Sequence, residues 1–168
     1  MSFFIWLEQT GLSLWVRESP SLFAFPFILF LHTLGLGMLA GISVAIDLWL
    51  LSTAARSKAV SMTGFFRVMW LGFGINAVSG VTLLIAYPAK ALTDPVFYAK
   101  MVLVVLALIN IEWIKREVFA RARPGQTLAV STKAKLLAAT SLAIWAGTIL
   151  AGRLLAYTYN VLLASDLL

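Results

Sequence analysis

Five ionisable side chains sit inside long apolar runs of this chain: His32, Asp47, Lys100, Glu112 and Arg153. Asn76 and Asn110 are their neutral polar companions. An ionisable group at membrane depth is costly, so each is a candidate for function. His32 is the single histidine. An imidazole can ligate iron, and cations can receive the two propionates of a haem. His32, Lys100 and Arg153 therefore form the candidate cofactor site. In that reading His32 is the metal ligand of haem b, and Lys100 and Arg153 meet the propionates. One histidine excludes a bis-histidine pair within one chain. The sixth iron position is then empty, or filled by Met38, Met69, Met101 or a second chain. A simpler reading competes with this one. A lone histidine in a helix bundle is more often a hydrogen-bonded packing residue, and Lys100 and Arg153 can extend to the membrane surface.

Asp47 and Glu112 have a different setting, near Arg56, Arg67, Lys115 and Arg116. Pairing with that basic interface is the expected role of both. Asp47 is expected to reach an inner-face cation or Asn110, with no catalytic part. No catalytic residues are assigned. The chain has no G-x-S-x-G, no phosphate-binding loop, no H-E-x-x-H and no zinc spacing. Without cysteine, thiolate metal sites, iron–sulfur clusters and covalent haem attachment are excluded.

The elements that must position these residues are transmembrane helices. Of 168 residues, 61% are hydrophobic and 12% charged, too apolar for a soluble globule of this size. Four apolar runs cover about 22–51, 65–87, 96–114 and 136–163. Each reaches the ~20 residues a spanning helix needs. They show no alternation of the kind a barrel strand has. The fold class is all-α: one domain over 1–168, a transmembrane four-helix bundle. Ahead of it, Phe3, Phe4, Trp6, Leu7, Leu12, Leu14 and Trp15 suit an amphipathic segment lying on the membrane. Pro20 is expected to open the first long helix, with Pro26 as a kink or a later start.

The net charge is +6. The positives gather in the first and third loops: Arg56, Lys58 and Arg67, then Lys115, Arg116, Arg121, Arg123, Lys133 and Lys135. The positive-inside rule places those loops in the cytoplasm and both termini outside, in the periplasm of a bacterium with an outer membrane. With the basic residues explained by topology, nucleic acid has no support as a partner. The lipid bilayer is the expected partner, with a homodimer or larger membrane complex beyond it. In the third loop, Pro124-Gly125 marks a turn, and Ser131 or Thr132 caps the fourth helix. Gly37 and Gly41 form a GxxxG; Gly72, Asn76 and Gly80 form a small stripe, as do Gly147 and Ala151. Gly37, Gly41, Gly72 and Gly80 are expected at helix contacts.

The runs RESPSLFAFPFILFLHTLGLGMLAGISVAIDLWLL, FRVMWLGFGINAVSG, DPVFYAKMVLVVLALINIEWIKREVF and WAGTILAGRLLAY carry a resemblance. Together they are similar to a family of small bacterial four-helix inner-membrane proteins of unknown function. The matching residues are His32, Gly35, Gly41, Asp47, Lys100, Arg153 and Tyr157. More distantly, His32 and Lys100 resemble the copper-resistance D-type membrane domain and the HemJ-type protoporphyrinogen oxidase. The latter likeness implies haem held through His32. Two functions follow as expectations. One is a haem-b-binding inner-membrane protein in electron transfer or as a redox-complex subunit. The other is a non-catalytic membrane scaffold or accessory subunit.

Overall fold

A computed structural model describes residues 6–52, 63–119 and 130–165. Among these residues the chain is helical, with no strand. The helices are α1 (Gly11–Glu18), α2 (Phe25–Leu51), α3 (Thr63–Ala86), α4 (Pro88–Leu92), α5 (Pro95–Ile114) and α6 (Thr132–Ser165). A π-helical turn, Lys115–Phe119, extends α5. Of these, α2, α3, α5 with its extension, and α6 are long and apolar enough to cross a membrane. The expected bounds agree with them to within a few residues.

Helix ends follow local chemistry. α2 opens at Phe25, so Pro26 marks the later start and Pro20 stays outside the helix. In the first turn the missing N–H of Pro26 costs nothing, because that donor would have no helical partner. Asp94 caps α5 by accepting from the Val96 amide at 2.8 Å. Ser131 caps α6, accepting from the Ala134 amide at 3.1 Å. Phe3, Phe4, Arg56, Lys58, Arg121, Arg123 and the Pro124-Gly125 turn lie outside the described residues.

The long helices expose apolar side chains over much of their circumference, among them Leu71, Val78, Val102 and Leu150. Such helices match lipid rather than water. A multi-pass membrane protein is the architecture they support. The core holds Leu39, Leu50, Met69, Ala107, Ile111, Ala138 and Trp145. α2 packs against both α3 and α6, and α5 packs against α6. At one end, α1 buries Ser13 and Val16 while Leu12, Leu14 and Trp15 stay exposed. The Ser13 hydroxyl donates to the Ala86 carbonyl at 3.3 Å, and Val16 packs with Ile28 and Ala86.

The α2–α3 crossing is set by glycine. A Cβ on Gly35 would stand 2.6 Å from the Asn76 amide nitrogen and 2.7 Å from the Gly72 carbonyl oxygen. One on Gly72 would stand 2.6 Å from the Met38 Cβ and 3.0 Å from the Gly35 oxygen. Gly80 presses on the His32 ring. Gly72 and Gly80 thus lie at a helix contact as expected. Gly37 and Gly41 do not: nothing lies within 4 Å of where their Cβ atoms would be. Both point away from the crossing, because Gly35 rather than Gly37 shares the buried face with Leu39.

A methyl at Gly35 must push backbone apart, so Gly35→Ala should destabilise the detergent-solubilised protein by about 1–3 kcal/mol, the usual range for overpacking. Gly37→Ala and Gly41→Ala should leave thermal unfolding nearly unchanged. Equal melting shifts for all three variants would contradict this assignment.

Candidate functional site

His32 lies in the first third of α2, where α3 passes closest, and is half-buried. Its Nδ1 is 3.0 Å from the Asn76 carbonyl oxygen and 3.2 Å from the Ser79 hydroxyl. A carbonyl can only accept. The Ser79 hydroxyl donates to the Ile75 carbonyl at 2.6 Å, so toward His32 it too accepts. The one donor near Nδ1 is the Asn76 side-chain amide at 3.4 Å, already engaged with the His32 backbone carbonyl at 2.7 Å. These neighbours assign the proton to Nδ1 and leave the Nε2 lone pair free.

The bonds between His32 and Asn76 are reciprocal. The His32 ring donates to the Asn76 backbone, and the Asn76 side chain donates to the His32 backbone. Each links a side chain of one span to the main chain of the other. The second acceptor, Ser79, is one helical turn beyond Asn76, and Gly80 gives the ring room. Sequence reasoning named Asn76 as a polar companion and, with Gly80, as part of a small stripe, and missed Ser79. The usable signal was spacing: Asn76, Ser79 and Gly80 stand at i, i+3 and i+4 on one helical face.

Lys100 lies in the second turn of α5, half-buried, with its ammonium in electrostatic reach of the His32 ring. Arg153 is on an exposed position of α6. Among the described residues, no hydrogen bond or ion pair joins Arg153 to His32 or Lys100. No group of three histidine, cysteine or carboxylate side chains gathers among the described residues. The chemistry available at His32 is thus that of one neutral imidazole with a free nitrogen and a cation nearby.

The other half of the bundle divides the two acidic residues. Glu112 pairs with Lys115 at 3.6 Å and with Arg116 at 3.2 Å, as expected. Asp47 departs from expectation. It is fully buried, and neither carboxylate oxygen has a hydrogen-bond partner. Asn110 is directed elsewhere, donating to the Leu137 carbonyl at 3.0 Å. The reason is the helical face: Asp47 looks into the α2–α6 packing near Ser141, away from the basic interface.

Comparisons with family models, curated proteins and solved structures find no match to this chain.

Removing the Asn76 side chain takes away one interhelical bond and leaves the His32 carbonyl with its intrahelical partner alone. Such bonds in membrane bundles average about 0.6 and reach about 1.7 kcal/mol. Asn76→Ala should lower unfolding stability within that range, while Asn110→Ala, on the other side of the bundle, leaves the His32 ring nitrogen shifts unmoved. Nitrogen NMR of labelled histidine checks the second point and should report an Nδ1–H tautomer in the parent protein.

Proposed function

We propose that this chain is an integral inner-membrane protein that binds haem b through His32 and serves membrane electron transfer or a redox complex. The observation that carries the reading is the 3.0 Å contact of His32 Nδ1 with the Asn76 carbonyl oxygen. A metal-ligating histidine commonly donates its other ring N–H to a backbone carbonyl or carboxylate, which fixes the ring and raises its basicity. His32 has that arrangement, with Nδ1–H on the Asn76 carbonyl and Nε2 free. A single imidazole holds iron well only where other ligands accompany it. The macrocycle of a haem brings four of its own, so the donor set of this site fits haem better than a bare ion.

Haem b supplies a one-electron couple when bound. His32 would hold the iron and, through its second-shell bond, influence the potential. Lys100, whose charge acts on the His32 ring, suits one propionate; Arg153 is the candidate for the other. The distant likeness of His32 and Lys100 to HemJ-type domains supports the same assignment. The contacts of Nδ1 with the Asn76 carbonyl and the Ser79 hydroxyl hold the ring against rotation.

A second reading has its own observation. Gly37 and Gly41 leave an open notch on α2, where a helix of another chain could approach closely. That favours a scaffold or accessory subunit, as a homodimer or within a larger complex. The amphipathic α1, with Trp15 exposed, would rest on the outer membrane surface in either case.

The visible spectrum of protein made with adequate haem supply separates the two. A Soret band is expected in the parent protein and absent in His32→Ala. Lys100→Ala and Arg153→Ala should loosen haem retention with a smaller spectral change. A colourless parent protein would leave the scaffold reading. The orientation has a separate test: reporter fusions should place residues 116–133 in the cytoplasm and both termini in the periplasm, and the reverse pattern would overturn it.

A further inference from the structure

Asp47 is a buried carboxyl group that the proposed haem site does not use. It lies on α2, one turn past Ser43, and both face α6. None of its surface is exposed, and neither oxygen has a hydrogen-bond partner. Among the described residues no cation pairs with it. Arg67 on α3 and Lys135 and Arg153 on α6 are exposed. Lys133 on α6 pairs with Glu117 at 3.7 Å, and Glu112 on α5 holds Lys115 and Arg116. A carboxylate with no counter-ion in this interior would carry a desolvation penalty that nothing offsets. The group must therefore hold a cation or a proton.

The neighbours decide which. Among the described residues, the side-chain hydroxyls on this face are Ser43, one turn before Asp47 on α2, and Ser141 opposite it, 3.5 Å from each other. The Ser43 hydroxyl already accepts from Trp145 Nε1 at 2.9 Å. α2 and α6 run unbroken through this depth, so their backbone carbonyls are spent on the helical ladder. Membrane sites for alkali ions draw on unwound backbone for carbonyl ligands, and none is present here. A proton needs no such shell. A neutral carboxylic acid has one O–H to donate, and the Ser141 hydroxyl that faces it has lone pairs that can accept.

We propose that Asp47 is a proton-binding site inside the bundle. The site holds its proton as a neutral acid that donates toward Ser141. Ser141, Ser43 and the Trp145 indole continue the line of hydrogen-bonding groups across the α2–α6 interface. The ligand of this site is the proton itself.

Infrared spectroscopy of the purified full-length protein tests this. At neutral pH the parent protein should show the carbonyl stretch of a protonated carboxylic acid, moving to lower frequency in deuterated water. Asp47→Asn should remove the band. Asp94→Asn should keep it, because Asp94 lies at the start of α5, where it accepts from the Val96 amide and Asn caps equally well. Ser141→Ala should raise the band's frequency by removing its hydrogen bond. Absence of the band in the parent protein, or its survival in Asp47→Asn, would overturn the proposal. So would a rise in melting temperature with sodium chloride over choline chloride that Asp47→Asn abolishes. If Asp47→Asn does not fold, an isotopic label on the aspartate carboxyl carbon decides in a variant with both Asp94→Asn and Asp166→Asn, where Asp47 is the one aspartate left: a band that fails to shift is not Asp47.

Discussion

The close approach of α2 and α3 at Gly35 and Gly72 is the constraint on which the candidate site depends. Lipid gives helices no hydrophobic reason to associate, so contact rests on packing and interhelical bonds. With no side chain at either glycine, the backbones come near enough for Asn76 to reach the His32 carbonyl at 2.7 Å. The same proximity brings the Asn76 carbonyl to the His32 ring at 3.0 Å. A larger residue at Gly35 would part the helices before either bond could form. The tautomer of His32, and with it the free Nε2, is a consequence of that spacing.

Much of this architecture was legible because lipid imposes simple rules. Four runs of spanning length had to be helices, and caps such as Ser131 and Asp94 stand where local chemistry puts them. What was not legible is which helical face turns inward. Periodicity marks an inward face only when the outward face is polar, and here both are apolar. Gly37 and Gly41 form the more familiar motif, yet Gly35 makes the contact. Ser79 could not be assigned to His32, because nothing in the chain states that α3 faces that side of α2.

Asp47 fails expectation for a related reason. Proximity in sequence to Arg56 and Arg67 suggested an ion pair, but depth is only one coordinate of a side chain in a helix. The angular one places Asp47 against Ser141 and Trp145 rather than at the basic rim. Glu112, on α5, has Lys115 and Arg116 three and four residues on, and that spacing closes pairs on one helical face. The two carboxylates differ in fate by geometry, with similar depth and similar chemistry.

α2 is the helix on which both unusual groups converge. It alone packs extensively on both α3 and α6. His32 is turned to the first neighbour and Asp47 toward the second. The interval of 15 residues between them advances ~60° around the helix and ~22 Å along it. A turn of that size is what a helix needs to address two neighbours from adjacent faces. The rise is too long for one ligand to bridge, so the imidazole and the carboxyl belong to separate sites in opposite halves of the bundle. Coupling between them, where it exists, runs through α2 itself: any shift of this helix that relaxes its contact with α3 also alters the α6 surface against which Asp47 is sealed.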